Sequence, residues 1–250
     1  MKTLSFKPLA VAAFATLPML ASAQLTANVS LTSNYKFRGQ DQDTSKNKSV
    51  KPAIQGGFDY AFGETGWYIG NWNSSVNWLP GNSIESDLYG GYKFKGAGLD
   101  WDVGVLSYVY PGNSNGNTTE LYGAGTWGPL TLKYSHTVSN DYFGAAGYKA
   151  GSGFKGRNTG YLNLAYAQEI VAKLTLKASL GYTRFAGGIK DFTLQQTGVE
   201  IPNYVDYGLG VSYDFGSGVS LYGGVQGANK KNYFGDVNKA RAIVTLTKTL

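Results

Sequence analysis

Residues 25–38 alternate in character for fourteen positions. Leu25, Ala27, Val29, Leu31, Tyr35 and Phe37 share one parity; Thr26, Asn28, Ser30, Thr32, Asn34, Lys36 and Arg38 share the other. Successive side chains of an extended chain point to opposite faces, so a period of two means a strand with one apolar and one wet face. A strand of a soluble protein runs about 5–6 residues. This one is long enough to cross a bilayer at a tilt, which takes roughly 9–11.

The pattern recurs and predicts twelve strands, at 25–38, 51–62, 67–78, 84–94, 99–110, 118–127, 130–138, 159–170, 173–185, 203–215, 218–228 and 239–250. In 203–215, Val205, Tyr207, Leu209, Val211, Tyr213 and Phe215 oppose Asp206, Gly208, Gly210, Ser212 and Asp214. The joints alternate as well. Tight turns such as Lys95-Gly96-Ala97-Gly98, Gly128-Pro129 and Gly216-Ser217 alternate with longer connections such as 39–50, 139–158, 186–202 and 229–238. Short turns on one side and long loops on the other are expected when hairpins point into two compartments. The predicted fold is therefore all-β: a transmembrane, antiparallel, up-and-down barrel of about twelve strands, with short periplasmic turns and longer extracellular loops.

Composition narrows the field. Glycine, at 35 of 250 residues, is about twice its usual share of roughly 7%. With only 7 prolines and no triplet period, collagen is excluded. Gly pairs such as Gly56-Gly57, Gly90-Gly91 and Gly223-Gly224 fall inside strands, where glycine permits bends and close packing under large rings. The 14% of aromatic residues and 15% of charged residues argue against disorder. Without cysteine there is neither a disulfide framework nor a thiolate metal site, and one histidine excludes multi-histidine metal sites.

The N-terminus reads as an export signal. Lys2 and Lys7 precede an apolar stretch from Leu9 to Leu20 and the sequence Ala21-Ser22-Ala23, the layout of a cleaved leader. Residues 1–23 are thus expected to be a signal peptide and 24–250 the barrel. No later segment has 18 consecutive apolar residues, so strands rather than helices would do the spanning. Aromatics gather toward both ends of the strands, for example Trp67, Tyr92, Trp127 and Phe215 at the turns and Tyr35, Trp78, Tyr110 and Tyr182 at the loops. Interfacial girdles have that arrangement.

The stretches NVSLTSNYKFRG (28–39), PAIQGGFDYAF (52–62), GWYIGNWNSSV (66–76), ESDLYGGYKF (85–94), DVGVLSYVYPG (102–112) and ELYGAGTW (120–127) resemble the TorF family of proteobacterial porins. The resemblance extends over nearly all of residues 24–250 and implies an outer-membrane barrel in a Gram-negative bacterium, with passage of small solutes and no catalytic residues. One departure is the final residue, Leu250, where barrels of this type often end in an aromatic.

Other chemistry has few residues to rest on. His136 has Val138 two residues on, where a lipid-active barrel enzyme would place its nucleophilic serine, and Ser139 has the opposite parity. Glu85/Asp87 and Asp100/Asp102 are paired on one face, a spacing that serves acid–base work or polar lining. Gly-rich GAGTWG lacks the strand-to-helix context of a nucleotide loop. The expectation is no enzyme, no cofactor and no nucleic-acid partner.

Parity assigns the pore-lining candidates: Lys36, Arg38, Asp59, Glu85, Asp87, Lys93, Asp100, Asp102, Glu120, Lys133, Glu169, Lys177, Asp206, Asp214 and Arg241. Carboxylates outnumber cations among them, which predicts a narrow, weakly cation-favouring pathway for small hydrophilic solutes. The external loops are net basic, with Lys46, Lys48, Lys149, Arg157, Arg184, Lys230 and Lys231 among them, and would face lipopolysaccharide phosphates. Other expected partners are outer-membrane lipids and the barrel-assembly machinery. Competing readings are a structural or adhesive barrel plugged by loops 139–158 or 186–202, a lipid-active enzyme, and a soluble lipid-binding barrel.

Overall fold

The computed structural model describes residues 24–45, 49–145 and 153–250. The predicted signal peptide and Lys46, Lys48 and Lys149 lie outside the described residues. In chain order the elements are β1 (Gln24–Thr32), β2 (Lys36–Phe37), β3 (Gln40–Asp41), β4 (Ala53–Ala61), β5 (Trp67–Ser75), β6 (Ile84–Gly96), β7 (Leu99–Val109), β8 (Thr118–Trp127), β9 (Leu130–Thr137), β10 (Gly160–Val171), β11 (Leu174–Arg184), α1 (Gly187–Thr197), β12 (Tyr204–Gly216), β13 (Val219–Ala228), α2 (Lys231–Phe234) and β14 (Arg241–Thr249).

Strand β1 and strands β4 to β14 form a closed antiparallel barrel of twelve strands. Closure is made by β1, which pairs with β4 from Gln24 opposite Ala61 to Thr32 opposite Ala53, and with β14 from Asn28 opposite Thr249 to Thr32 opposite Thr245. No helix among the described residues is long and apolar enough to cross a membrane. At one end the hairpins close tightly. Ala97 and Gly98 both adopt positive φ, as do Ser217 and Gly218, the two-residue geometry that matches the twist of flanking strands.

Alternation sorts the side chains as the strand pattern requires. Leu25, Ile54, Trp67, Leu88, Leu121, Trp127, Leu180, Leu209 and Val244 are exposed on the outer wall. Left in water, each such side chain would forgo about 1.5–3 kcal/mol of burial. The opposite parity points into the lumen and is mostly polar. Tyrosines fill part of this interior because neighbouring strands offer glycine. A Cβ on Gly91 would meet the Tyr68 hydroxyl at 2.6 Å and one on Gly104 the Tyr122 hydroxyl at 2.5 Å.

The first predicted strand ends early. Residues 25–38 do not form one strand: the barrel wall stops at Thr32, and Lys36–Asp41 turns inward as the separate hairpin β2–β3. Its two-residue tip is Arg38-Gly39, at φ +48° and +75°. The correction has a physical cause. Tyr35 and Phe37 keep the alternating pattern because the hairpin is also extended, but they pack on aromatics inside the barrel. Tyr35 meets Trp72 edge-on at 5.5 Å, and Phe37 meets Tyr108 at 5.3 Å and Phe143 at 5.4 Å.

A second apolar cluster caps the loop end. Tyr142, Phe185, Ile189, Ile201, Tyr204 and Ala228 are buried together, with Phe154, Phe192 and Phe234 packed against them. Phe143 also touches the cluster around Val76, Leu106, Tyr108 and Tyr110.

Candidate functional site: the charged lumen

The lumen is built in tiers. At the loop end the inserted hairpin carries its charges to three walls. Arg38 reaches Glu120 on β8 at 2.6 Å and lies over the Tyr161 ring of β10 at 4.2 Å. Its burial works against the charge, but the Glu120 carboxylate prevails and holds the guanidinium well above its usual range. Gly39 at the tip fits against the opposite side: a Cβ there would meet the Gly227 carbonyl at 2.5 Å and Asp206 Cβ at 2.6 Å.

Behind the tip, Asp41 gathers three cations. Lys36 Nζ lies 2.8 Å from Asp41 Oδ1, while Arg241 Nε and Lys51 Nζ lie 2.6 and 3.6 Å from Oδ2. Lys36 also donates to the Gly39 and Val237 carbonyls, both at 2.9 Å. Burial pulls the Lys36 ammonium below its ordinary range, opposed by Asp41.

On the β6 wall, Glu85 accepts from the Tyr35 hydroxyl at 2.7 Å and from the Tyr110 hydroxyl. Burial, then the Glu85 and Asp87 carboxylates, push the Tyr35 hydroxyl far up, so it remains a neutral donor. Tyr108 donates to Glu120 at 3.4 Å. Lower down, Tyr89 donates to Asp59 and Tyr68 to Asp102, both at 2.6 Å, and Tyr68 also bonds Tyr122. Lys93 lies over the Tyr68 ring, Lys133 over Tyr122 and Lys177 over Tyr222, at 4.8, 4.1 and 5.9 Å. The wall formed by β14 and β1 is different: uncharged hydroxyls pair there, Ser30 with Thr247 at 2.9 Å and Thr245 with Thr32 at 2.8 Å.

The structure thus gathers Asp59, Glu85, Asp87, Lys93, Asp102, Glu120, Lys133, Lys177, Asp206 and Arg241 inside the barrel. It corrects five placements. Lys36 and Arg38 do not line a strand at the mouth but sit buried on the inserted hairpin. Asp100, Glu169 and Asp214 belong to the turn-end rim. Asp100 pairs with Lys95 at 3.0 Å in solvent, Glu169 accepts from the Lys173 backbone amide at 2.8 Å, and Asp214 from that of Gly216 at 2.8 Å. Strand parity alone cannot see this, because the last inward residue of a strand already faces water.

Asp41, in the connection 39–50, and Lys51, at the outer end of the predicted strand 51–62, are also buried in the lumen. So are the tyrosines Tyr68, Tyr108, Tyr110 and Tyr122. For Tyr68 and Tyr122 the sequence carries a signal, Tyr at inward parity beside Gly91 and Gly104 on the next strand, whereas Tyr110, expected in the loop-side girdle, lies inside instead.

His136 points outward at the loop end of β9. Its Nδ1 meets the Tyr134 hydroxyl at 3.1 Å and its Nε2 meets Asn158 Oδ1 at 3.2 Å. Ser139 instead donates to the Asp141 carbonyl at 2.7 Å. Each has partners other than the other, and no triad forms among the described residues. No group of three or more His, Cys, Asp or Glu among the described residues is arranged to hold a metal ion.

An apolar outer wall, a charged interior and hairpins tight at one end and long at the other define a twelve-stranded barrel of the outer-membrane type. The chain belongs to the Gcw_chp family, described as a bacterial protein of unknown function, which matches residues 19–250. No curated protein matches the chain. Among solved structures, it is similar to the KdgM porin in complex with disordered oligogalacturonate, at 11% identity and a TM-score of 0.52, over 90% of this chain and 97% of that one. It is likewise similar to the NanC porin, at 12% identity and a TM-score of 0.53, over 90% and 98%. At such identities the likeness is one of fold.

Proposed function

We propose that this protein is an outer-membrane channel for passive passage of small hydrophilic solutes, exported by its cleaved leader. The observation that carries the reading is the inverted polarity: large apolar side chains outside, ion pairs and tyrosine–carboxylate contacts inside. A soluble protein buries its apolar face and solvates its charges. The resemblance to TorF porins and the porin-like fold support it. Within the deep lumen the acidic and basic side chains nearly balance in number, so the weak cation preference rests on the rim carboxylates Asp100, Glu169 and Asp214 and on the uncompensated carboxylates of β6.

Liposome swelling across sugars, amino acids and organic ions is the direct test. Swelling that falls with solute size is expected, and proteoliposomes no leakier than empty ones would end the channel reading. In planar bilayers the reversal potential should favour cations modestly, and clear anion preference would remove that part.

A second reading has its own support. The hairpin and the aromatic cap occupy much of the loop half, as a plugged structural or adhesive barrel requires. Folded protein in the outer-membrane fraction, with no solute flux, is its signature.

The outer rim would contact lipopolysaccharide. Arg184 and His136 share one strand-pairing row across Gly160 and face outward, where acidic headgroups lie. Chelation of divalent cations combined with salt should ease extraction of the protein, and an unchanged profile would count against this contact.

A further inference from the structure

We propose that Asp87 is the anchor of a monovalent-cation site in the lumen, taking an alkali ion or the ammonium head of a solute. The site deepens the channel reading and rests on it only for the route by which the cation arrives.

Asp87 projects inward from β6, opposite Trp72 on β5 and Tyr108 on β7. It is 5% exposed, and its Oδ1 is buried without a hydrogen-bond partner. The tyrosine hydroxyls around it are committed elsewhere, and Arg38, whose Nη1 is itself unpartnered, makes its ion pair with Glu120. Tyr35 and Tyr110 donate to Glu85, and Tyr108 donates to Glu120. None of the ion pairs among the described residues includes Asp87 or Glu85.

An ionised carboxylate taken out of water without a counter-charge is among the least favourable arrangements a protein can hold. Glu85, two residues away on the same face of β6, makes the deficit worse. The hydroxyl protons of the three tyrosines point at other carboxylates, so their oxygens keep lone pairs for a cation. With Glu85 and Glu120 occupied by their own donors, one uncommitted carboxylate beside neutral oxygens and aromatic faces suits a singly charged ion or an ammonium group. Multi-carboxylate coordination of a divalent ion is a different donor set.

The test uses the full refolded barrel in detergent and follows heat modification on a gel at constant ionic strength. Chloride salts of potassium, sodium, methylammonium and the bulky N-methylglucamine are compared. The midpoint should rise saturably with a small cation and stay flat with N-methylglucamine. A potassium or sodium response without a methylammonium response assigns an alkali ion; the converse assigns an ammonium head.

Asp87→Asn should raise the midpoint in N-methylglucamine and abolish the response to small cations, while Asp59→Asn retains it. A wild-type midpoint indifferent to cation identity overturns the proposal, as it would if a proton satisfied Asp87. A cation response that survives in Asp87→Asn overturns it too. The wild-type arms stand even if Asp87→Asn does not fold. Binding is read at equilibrium without flux, so absent conductance with a cation-dependent midpoint would defeat the channel reading and leave the site.

Discussion

Asp41 and Asp87 lie in the same lumen and are almost equally buried, at 4% and 5% exposed. Asp41 faces three cations, Lys36, Lys51 and Arg241. Asp87 faces none. Apart from the Arg38–Glu120 pair, buried charge in this barrel is therefore separated across the lumen rather than cancelled pair by pair. Positive charge collects where the hairpin meets β14, and negative charge collects on β6. A field between the two sides, within low-dielectric walls, would act on any ion passing between them. The difference also says what the hairpin does. It brings its own acid to the basic side and its Arg38 to Glu120, and it leaves β6 uncompensated.

The largest effect is expected from Asp41→Asn. Removing one anion leaves three buried cations facing one another, and loss of one partner from a buried pair costs about 3–5 kcal/mol. Urea unfolding followed by gel mobility should show it, and a loss below about 1 kcal/mol would mean that solvent reaches the cluster. Glu120→Gln should come next. It strands Arg38, but the Phe37 and Tyr161 rings at 4.7 and 4.2 Å still receive the guanidinium, so a loss of about 2–3 kcal/mol is expected. With its latch gone the hairpin should leave the lumen more often and liposome swelling should quicken. Stability lost with swelling unchanged would show that the hairpin is a brace and not a constriction.

The barrel was legible in the sequence because alternation is a local property. The predicted strand 118–127 coincides with Thr118–Trp127, and 99–110 with Leu99–Val109 to within a residue. The hairpin was not legible, because alternation says that a segment is extended and not which surface covers its apolar side. Tyr35 and Phe37 look the same against lipid or against Tyr108. The turn at Arg38-Gly39 was the available clue: a glycine after a polar residue between short extended runs. The charge pairs were out of reach for another reason. Arg38 and Glu120 lie 82 residues apart and Arg241 and Asp41 lie 200 apart, so only closure of the barrel brings them together.

The insertion itself can be separated from its charges. Gly39 and Gly98 hold nearly the same φ, +75° and +78°, but a Cβ on Gly98 would meet open space while one on Gly39 would meet Gly227 and Asp206. Alanine at either site carries the left-handed backbone penalty of about 1–2 kcal/mol. Gly39→Ala should exceed Gly98→Ala by about 1 kcal/mol through the added clash. Equal losses would place the tip away from β13.

The smallest change in stability belongs to Asp100→Asn. Its partner Lys95 is 3.0 Å away, but the two side chains are 62% and 85% exposed, and an exposed pair contributes about 0–1 kcal/mol. Its effect should instead appear in selectivity. An arriving ion meets this carboxylate in water, where at about 0.01 M salt the screening length is roughly 30 Å and at 1 M roughly 3 Å. Asp100→Asn should therefore shift the reversal potential toward anions in dilute salt and leave it unmoved in concentrated salt. Asp87→Asn, acting where solvent does not screen, should keep its effect at both concentrations. If the two variants lose their effects together as salt rises, the β6 carboxylate is as solvated as the rim, and the contrast between the two buried aspartates fails.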